Sequence, residues 1–188
     1  LRAMWVAVIV VVLLVLLVVW TIALYNGLVQ KRNGVDNAWA QIEVQLKRRR
    51  DLIPNLVETV KGYAAHETAA FEQVTAARSH ALGAQTLDEK AAADGEMQAA
   101  VGKLFAVAEA YPQLRAVESF TQLQTELSDT EDKIAAARRY YNATVQAYNT
   151  KQQTVPTSFV AGVFGHAPAP FYRVEDDADR EPVDVRFG

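Results

Sequence analysis

Apolar and polar positions are distributed very unevenly along this chain. Residues 3–24 carry no charge, and Thr21 supplies their only side-chain hydroxyl. As a helix this stretch rises roughly 33 Å, enough to cross a hydrocarbon core of about 30 Å. A helix also satisfies its own backbone polar groups, as a segment in lipid must. Trp5 and Trp20 lie near the two ends, with Tyr25 just beyond, in the manner of an interfacial aromatic belt. A cleaved leader has an apolar core of about 7–15 residues followed by a small-residue cleavage site. The stretch 20–25 offers no such site. The pattern predicts a permanent membrane anchor.

Beyond the anchor the apolar residues become periodic. Val35, Trp39, Ile42, Leu46 and Ile53 follow spacings of four, three, four and seven, a seam on one helix face. Asp36, Glu43, Lys47 and Arg50 occupy the other face. The anchor is therefore expected to run straight into an amphipathic helix. Pro54 interrupts it as a kink or tight bend rather than a reversal, although Asp51 could cap a new helix there. Leu56, Val60, Tyr63, Phe71 and Val74 carry the stripe on to about Leu82. Residues 83–86 read as a loop, and Thr86 with Glu89 forms a capping box. A third helix is predicted over 87–110, with Met97, Val101, Leu104, Phe105 and Ala108 inward, until Tyr111 and Pro112 break it. The last helix is predicted over 113–153. In it Leu127, Ile134, Tyr141 and Tyr148 recur every seven residues, with Val117, Phe120, Leu123 and Val145 beside them, and Val155 and Pro156 close it.

The fold expected is all-α: an N-terminal transmembrane helix continuing into an up-and-down bundle of three to four long antiparallel helices. The division is a transmembrane helix over 3–24, a bundle over 25–156 and an aromatic, acidic tail over 157–188. The tail holds Phe159, Phe164, Phe171, Tyr172 and Phe187 with Asp176, Asp177, Asp179, Glu181 and Asp184. Part of it is expected to dock on the bundle or on a neighbouring subunit, because so many aromatics do not suit disorder.

Composition narrows the chemistry. Cysteine is absent, which excludes disulfides, CxxC redox chemistry and thiolate metal sites. A formal net charge of −3 gives no basic surface of the kind nucleic-acid binders carry. Lys31, Arg32 and the run Lys47, Arg48, Arg49 and Arg50 follow the anchor, so the positive-inside rule favours a cytoplasmic bundle and leaves the opposite orientation open. His66 and Glu67 begin an HExxH-like string, but position 70 is Ala70. On one continuous helix His66 and His80 would stand roughly 21 Å apart, so both read as surface or interface histidines. No G-x-S-x-G or phosphate-binding loop occurs. No enzymatic activity, catalytic residue, cofactor or metal is expected.

Charged clusters read as solvated. Glu126, Asp129, Asp132, Lys133, Arg138 and Arg139 suit i,i+4 pairs on an exposed face; Glu131, between Leu127 and Ile134, is expected to be semi-buried. The basic run 47–50 reads as a solvated face, with pairing to acidic segments as the alternative. Polar residues in the seams are the more informative candidates. If the last helix returns antiparallel to the first, Tyr148 and Asn149 come near Tyr25 and Asn26, and Tyr141 and Asn142 near Asn33 or Asn37. Such residues would set register as buried Asn does in coiled coils; ordinary Tyr packing with exposed Asn is the plainer reading. Trp39 and Pro54 join them as structural or interaction candidates.

Several strings are distinctive: 25–29 (YNGLV), 39–49 (WAQIEVQLKRR), 51–63 (DLIPNLVETVKGY), 123–127 (LQTEL), 130–134 (TEDKI) and 138–142 (RRYYN). Together they resemble the bacterial LemA family, from the membrane helix to about Gly165, with residues 183–187 also similar. The resemblance implies a single-pass bacterial inner-membrane protein with a helical bundle and no established activity, cofactor or active site. One branch of the family, MamQ, supports magnetosome membrane formation, which implies membrane organisation or scaffolding. The expected partners are the lipid bilayer, further copies of the chain and, alternatively, a membrane protease or signalling protein for which it is an adaptor.

Overall fold

The structure, a computed structural model, describes residues 2–173 and is all-α, with no strand among them. Six helices follow in order: α1 (Arg2–Lys61), α2 (Thr68–Gly83), α3 (Leu87–Glu109), α4 (Pro112–Arg115), α5 (Glu118–Gln153) and α6 (Thr157–Val163). α1 runs from the apolar span through Pro54 as one helix, so Pro54 does not reverse the chain. The tail carboxylates Asp176, Asp177, Asp179, Glu181 and Asp184, with Phe187, lie outside the described residues.

Three boundaries differ from expectation. The stripe running on to Leu82 is split: α1 stops at Lys61, and residues 62–67 turn the chain before α2. Tyr63, expected inward, is exposed there, whereas Ala64 is buried. The expected last helix starts later, because α4 is followed by a break at 116–117 before α5. The tail contributes α6, which no periodicity announced. The capping box is present as read: Thr86 accepts from the Glu89 amide while the Glu89 carboxylate accepts from the Thr86 amide.

The described residues form two compact units, one of residues 2–40 with 139–171, the other of residues 41–138 with 172–173. In the first, residues 3–20 of the apolar span are exposed on every side, and the first buried residue is Leu28. Its core joins Leu28, Val35 and Ala38 of α1 to Tyr141, Val145 and Tyr148 of α5, with Val160, Ala161 and Ala169. The second unit centres on Ile53, Leu56 and Val60 of α1, Phe71 and Val74 of α2, Met97, Val101 and Leu104 of α3, Leu114, and Phe120 and Leu127 of α5. Each large apolar side chain so buried contributes roughly 1.5–3 kcal/mol.

Candidate functional site

In the first unit, α5 presents a ladder of polar side chains to the segment that follows α6. That segment, 166–170, reads His-Ala-Pro-Ala-Pro, and its prolines have no amide to donate. Side chains satisfy its backbone instead. Asn149 donates to the Ala169 carbonyl at 2.9 Å and accepts from the Ala169 amide at 2.8 Å, holding it as a neighbouring strand would. Tyr141 donates to the Pro170 carbonyl at 2.9 Å, and Gln152 to the His166 carbonyl at 2.5 Å. The Tyr148 hydroxyl lies 3.2 Å from both His166 Nδ1 and the Ala167 carbonyl.

α1 supplies aromatic and cationic cover to the same unit. The Tyr25 ring lies 4.7 Å from Phe164 and 5.8 Å from His166. Trp39 packs edge-on against Tyr141 at 5.8 Å, and the Arg32 guanidinium stands 5.9 Å over Tyr148. Burial pushes the Tyr141 hydroxyl above its ordinary pKa; Arg32 opposes that shift and Asp36 adds to it.

These contacts correct the expected asparagine layers. Asn26, Asn33 and Asn37 are exposed on α1, so they do not meet Asn142 or Asn149 in a buried layer. Asn142 is half-buried. Tyr25 and Tyr148 do share a neighbour, but it is His166. The tyrosines and Asn149 fasten the segment after α6 rather than pairing with asparagines of α1. Pro54, a candidate in the other unit, is half-buried within α1.

That second unit contains a buried ionic cluster. Arg49 is 2% exposed and the Asp94 side chain is fully buried. Arg49 forms a charge-assisted bond to the Asp94 carboxylate, a 3.3 Å bond to the Asp94 carbonyl and a 2.6 Å bond to Glu131. The other Asp94 oxygen takes the Arg138 guanidinium at 3.3 Å and the Tyr172 hydroxyl at 2.7 Å. Arg138 also lies 5.8 Å over the Tyr172 ring. Two guanidiniums thus face two carboxylates, which balances the charge and limits the cost of removing it from water. Tyr172 is driven strongly upward in pKa, first by burial and then by the adjoining Asp94 carboxylate.

This cluster corrects the reading of the basic run as a solvated face. Lys47 and Arg48 are exposed, but Arg49 points inward. A signal for it existed. The seam 42, 46, 53 has a gap of seven, and 49 is the helical position that fills it. Asp94 likewise lies in phase with buried Ala91, Met97 and Val101 on α3. Charge alone suggested the surface; phase pointed to the interior. Glu131 is half-buried, as its place in the seam suggests.

Elsewhere, His66 lies exposed in the turn after α1, and exposed His80 contacts Glu96 at 2.8 Å. Because the turn separates them, they do not share a helix. No group of three or more His, Cys, Asp or Glu suited to a metal occurs among the described residues. A groove of about 590 Å³ lies between α3 and α5, lined by Val101, Phe105, Leu127 and Ser128 among others. The two polar clusters hold segments together, with Arg49 Nε, Arg138 Nε and Gln152 Oε1 left without a hydrogen-bond partner among the described residues.

The chain matches the sequence profile described as LemA family over residues 38–187. It is 27% identical to magnetosome protein MamQ 2 of Paramagnetospirillum magneticum, over 82% of this chain and 66% of that protein. It is 28% identical to magnetosome protein MamQ of Magnetospirillum gryphiswaldense, over 80% of this chain and 63% of that one. It is 30% identical to Protein LemA of Metamycoplasma hominis, over 72% of this chain and 63% of the relative. The chain therefore spans a little under two thirds of the length of these relatives.

Proposed function

The chain belongs to the LemA family, and from that premise we propose that it is a membrane-anchored scaffold that self-assembles to organise membrane, without enzymatic activity of its own. One observation carries the reading. α1 passes from the apolar span into packed structure with no linker: Leu24 and Tyr25 are half-buried and Leu28 is fully buried. A tether this short holds the first unit against the bilayer surface, which suits a part that shapes or spaces membrane better than one that must reach a distant substrate. Both polar clusters spend their chemistry on holding the chain together. The MamQ relatives carry magnetosome in their names, and a role in a membrane compartment accords with the same reading. We place the protein in the bacterial inner membrane, with the bundle on the cytoplasmic side by the positive-inside rule.

The test is the native mass of the full chain extracted in mild detergent and reconstituted in nanodiscs. A discrete multiple of the 20.7 kDa protomer is expected; a monomer at cellular concentration overturns self-assembly. The groove between α3 and α5 favours a second reading, an adaptor presenting a client to a membrane protease or sensor. Crosslinking from a cysteine placed at Gln98, beside that groove, to a stoichiometric foreign protein would decide for the adaptor.

A further inference from the structure

The strongest unexplained surface in the first unit is α6 with its flanks. From Gln152 to Gly165 the chain carries no charge. One face of α6, Thr157, Val160 and Ala161, is buried in the unit's core. The opposite face is as apolar as the buried one and is open: Phe159 is 71% exposed and Val163 80% exposed, one helical turn apart. Val155 before the helix is 74% exposed and Phe164 after it 54% exposed. A short helix that is apolar all round needs a second apolar surface beside the core it already contacts.

The position of α6 identifies that surface. Phe164 packs against Tyr25 with ring centroids 4.7 Å apart and the rings tilted, and Tyr25 follows directly on the apolar span. Lys151 lies against Gly27, two residues further on. α6 therefore adjoins the point where α1 leaves the hydrocarbon, with aromatic rings and a cation at the depth where headgroups begin. Its end is fixed as well. Gly165, at φ +67°, closes a Schellman motif in which the His166 amide donates to the Ala161 carbonyl at 2.9 Å and the Gly165 amide to Gly162 at 3.4 Å. Asn149 and Gln152 then hold the segment that follows.

We propose that α6 is a second membrane contact: a pinned wedge whose Phe159, Val163, Val155 and Phe164 insert among the lipids beside the transmembrane helix. The occupant of this face is the acyl and headgroup boundary of the anchor's own bilayer, where amphipathic elements bury their apolar face about 5–10 Å deep. The anchor holds the chain in the membrane; the wedge sets how the first unit stands on it and displaces lipid on one side only. This inference rests on residues 3–24 spanning the bilayer.

The chain has no cysteine, so single spin labels report depth cleanly. Phe159→Cys and Val163→Cys would be labelled in the full chain, in vesicles of phosphatidylcholine and phosphatidylglycerol. Val12→Cys inside the span and Asn37→Cys on exposed α1, roughly 18 Å beyond Tyr25, serve as references. All four side chains are exposed, so none of the substitutions disturbs the core. The ratio of collision with oxygen to collision with a nickel chelate is expected to be several-fold higher at 159 and 163 than at 37, approaching the value at 12. If 159 and 163 match 37 while 12 reads as hydrocarbon, the wedge is overturned and the anchor stands. If 12 also reads as water, the anchor fails and takes the wedge with it. If 159 is shielded from both reagents and labels on separate copies broaden one another, a second copy covers α6 and the lipid assignment is wrong.

Discussion

Asp94 gathers three side chains around one buried carboxylate. It accepts from Arg49, Arg138 and Tyr172 and is itself fully enclosed. A buried carboxylate so saturated matters less for the net energy of its bonds than for what its removal strands. Asp94→Ala leaves Arg49 inside with only Glu131 and the Asp94 backbone carbonyl for partners, and should destabilise the protein by about 3–5 kcal/mol. The double change Arg49→Met with Asp94→Leu replaces the central pair with apolar volume and should cost less than the sum of the single changes. Denaturant unfolding in detergent measures both. Strictly additive losses would show that the pair is not coupled and that burial of each group alone sets the cost. Arg49 shows how sequence can mislead at this scale: charge type argued for the surface, while its helical phase, like that of Asp94, points inside.

At the scale of elements, what was legible depended on whether the signal was local. The apolar helix, the seam of α1, the heptad spacing in α5 and the capping box of α3 are each written within about two dozen consecutive residues, and each has its helix or cap in the structure. The turn at 62–67 was illegible for a definite reason. Val60, Ala64, Phe71 and Val74 are separated by four, seven and three, so the stripe keeps helical phase straight across the break. Tyr63 sat close enough to that phase to be taken as part of it. α6 is too short for periodicity, and both its faces are apolar. The capping box offers a quantitative check. The Thr86 amide first, and the Gln85 amide second, hold the Glu89 carboxylate below its ordinary pKa of 4.5. A depressed carboxylate contributes stability above the unfolded value, and that contribution is lost as pH falls through the lower folded value. The stability gap between the parent chain and Glu89→Gln should therefore be constant at neutral pH and close as the pH drops below 4.5. A gap that ignores pH would show that the carboxylate does not act as an anion at the cap. Thr86→Ala, which removes the other half of the box, should cost about 1 kcal/mol.

For the molecule as a whole, what the sequence withheld was long-range pairing. Nothing near Arg49 announces Asp94, and nothing in α5 announces that Tyr141 and Asn149 will hold a proline-rich segment rather than the asparagines of α1. Those partners are set by where helices end and chains return, which local pattern does not encode. Each unit nevertheless closes with a hydroxyl donated by a buried tyrosine, Tyr141 to the Pro170 carbonyl in one and Tyr172 to Asp94 in the other. Both hydroxyls are raised above the ordinary pKa of 10.0, chiefly by burial. At Tyr172 the Asp94 carboxylate adds to the shift while Arg138 and Arg49 oppose it; at Tyr141 Arg32 opposes and Asp36 adds. Once the chain unfolds, these phenols ionise near 10.0, but in the folded protein they hold their protons. The folded state then binds more protons than the unfolded one above that pH, and stability must fall as pH rises. Thermal unfolding midpoints should stay level to about pH 9 and decline through and beyond 10. Tyr172→Phe and Tyr141→Phe, each less stable at neutral pH for want of a hydrogen bond, should show a shallower decline. Tyr63→Phe and Tyr140→Phe, at positions 47% and 55% exposed, should follow the parent curve. If all four variants decline alike, alkaline loss comes from lysines and backbone exposure, and the two buried phenols are not what ties the chain down.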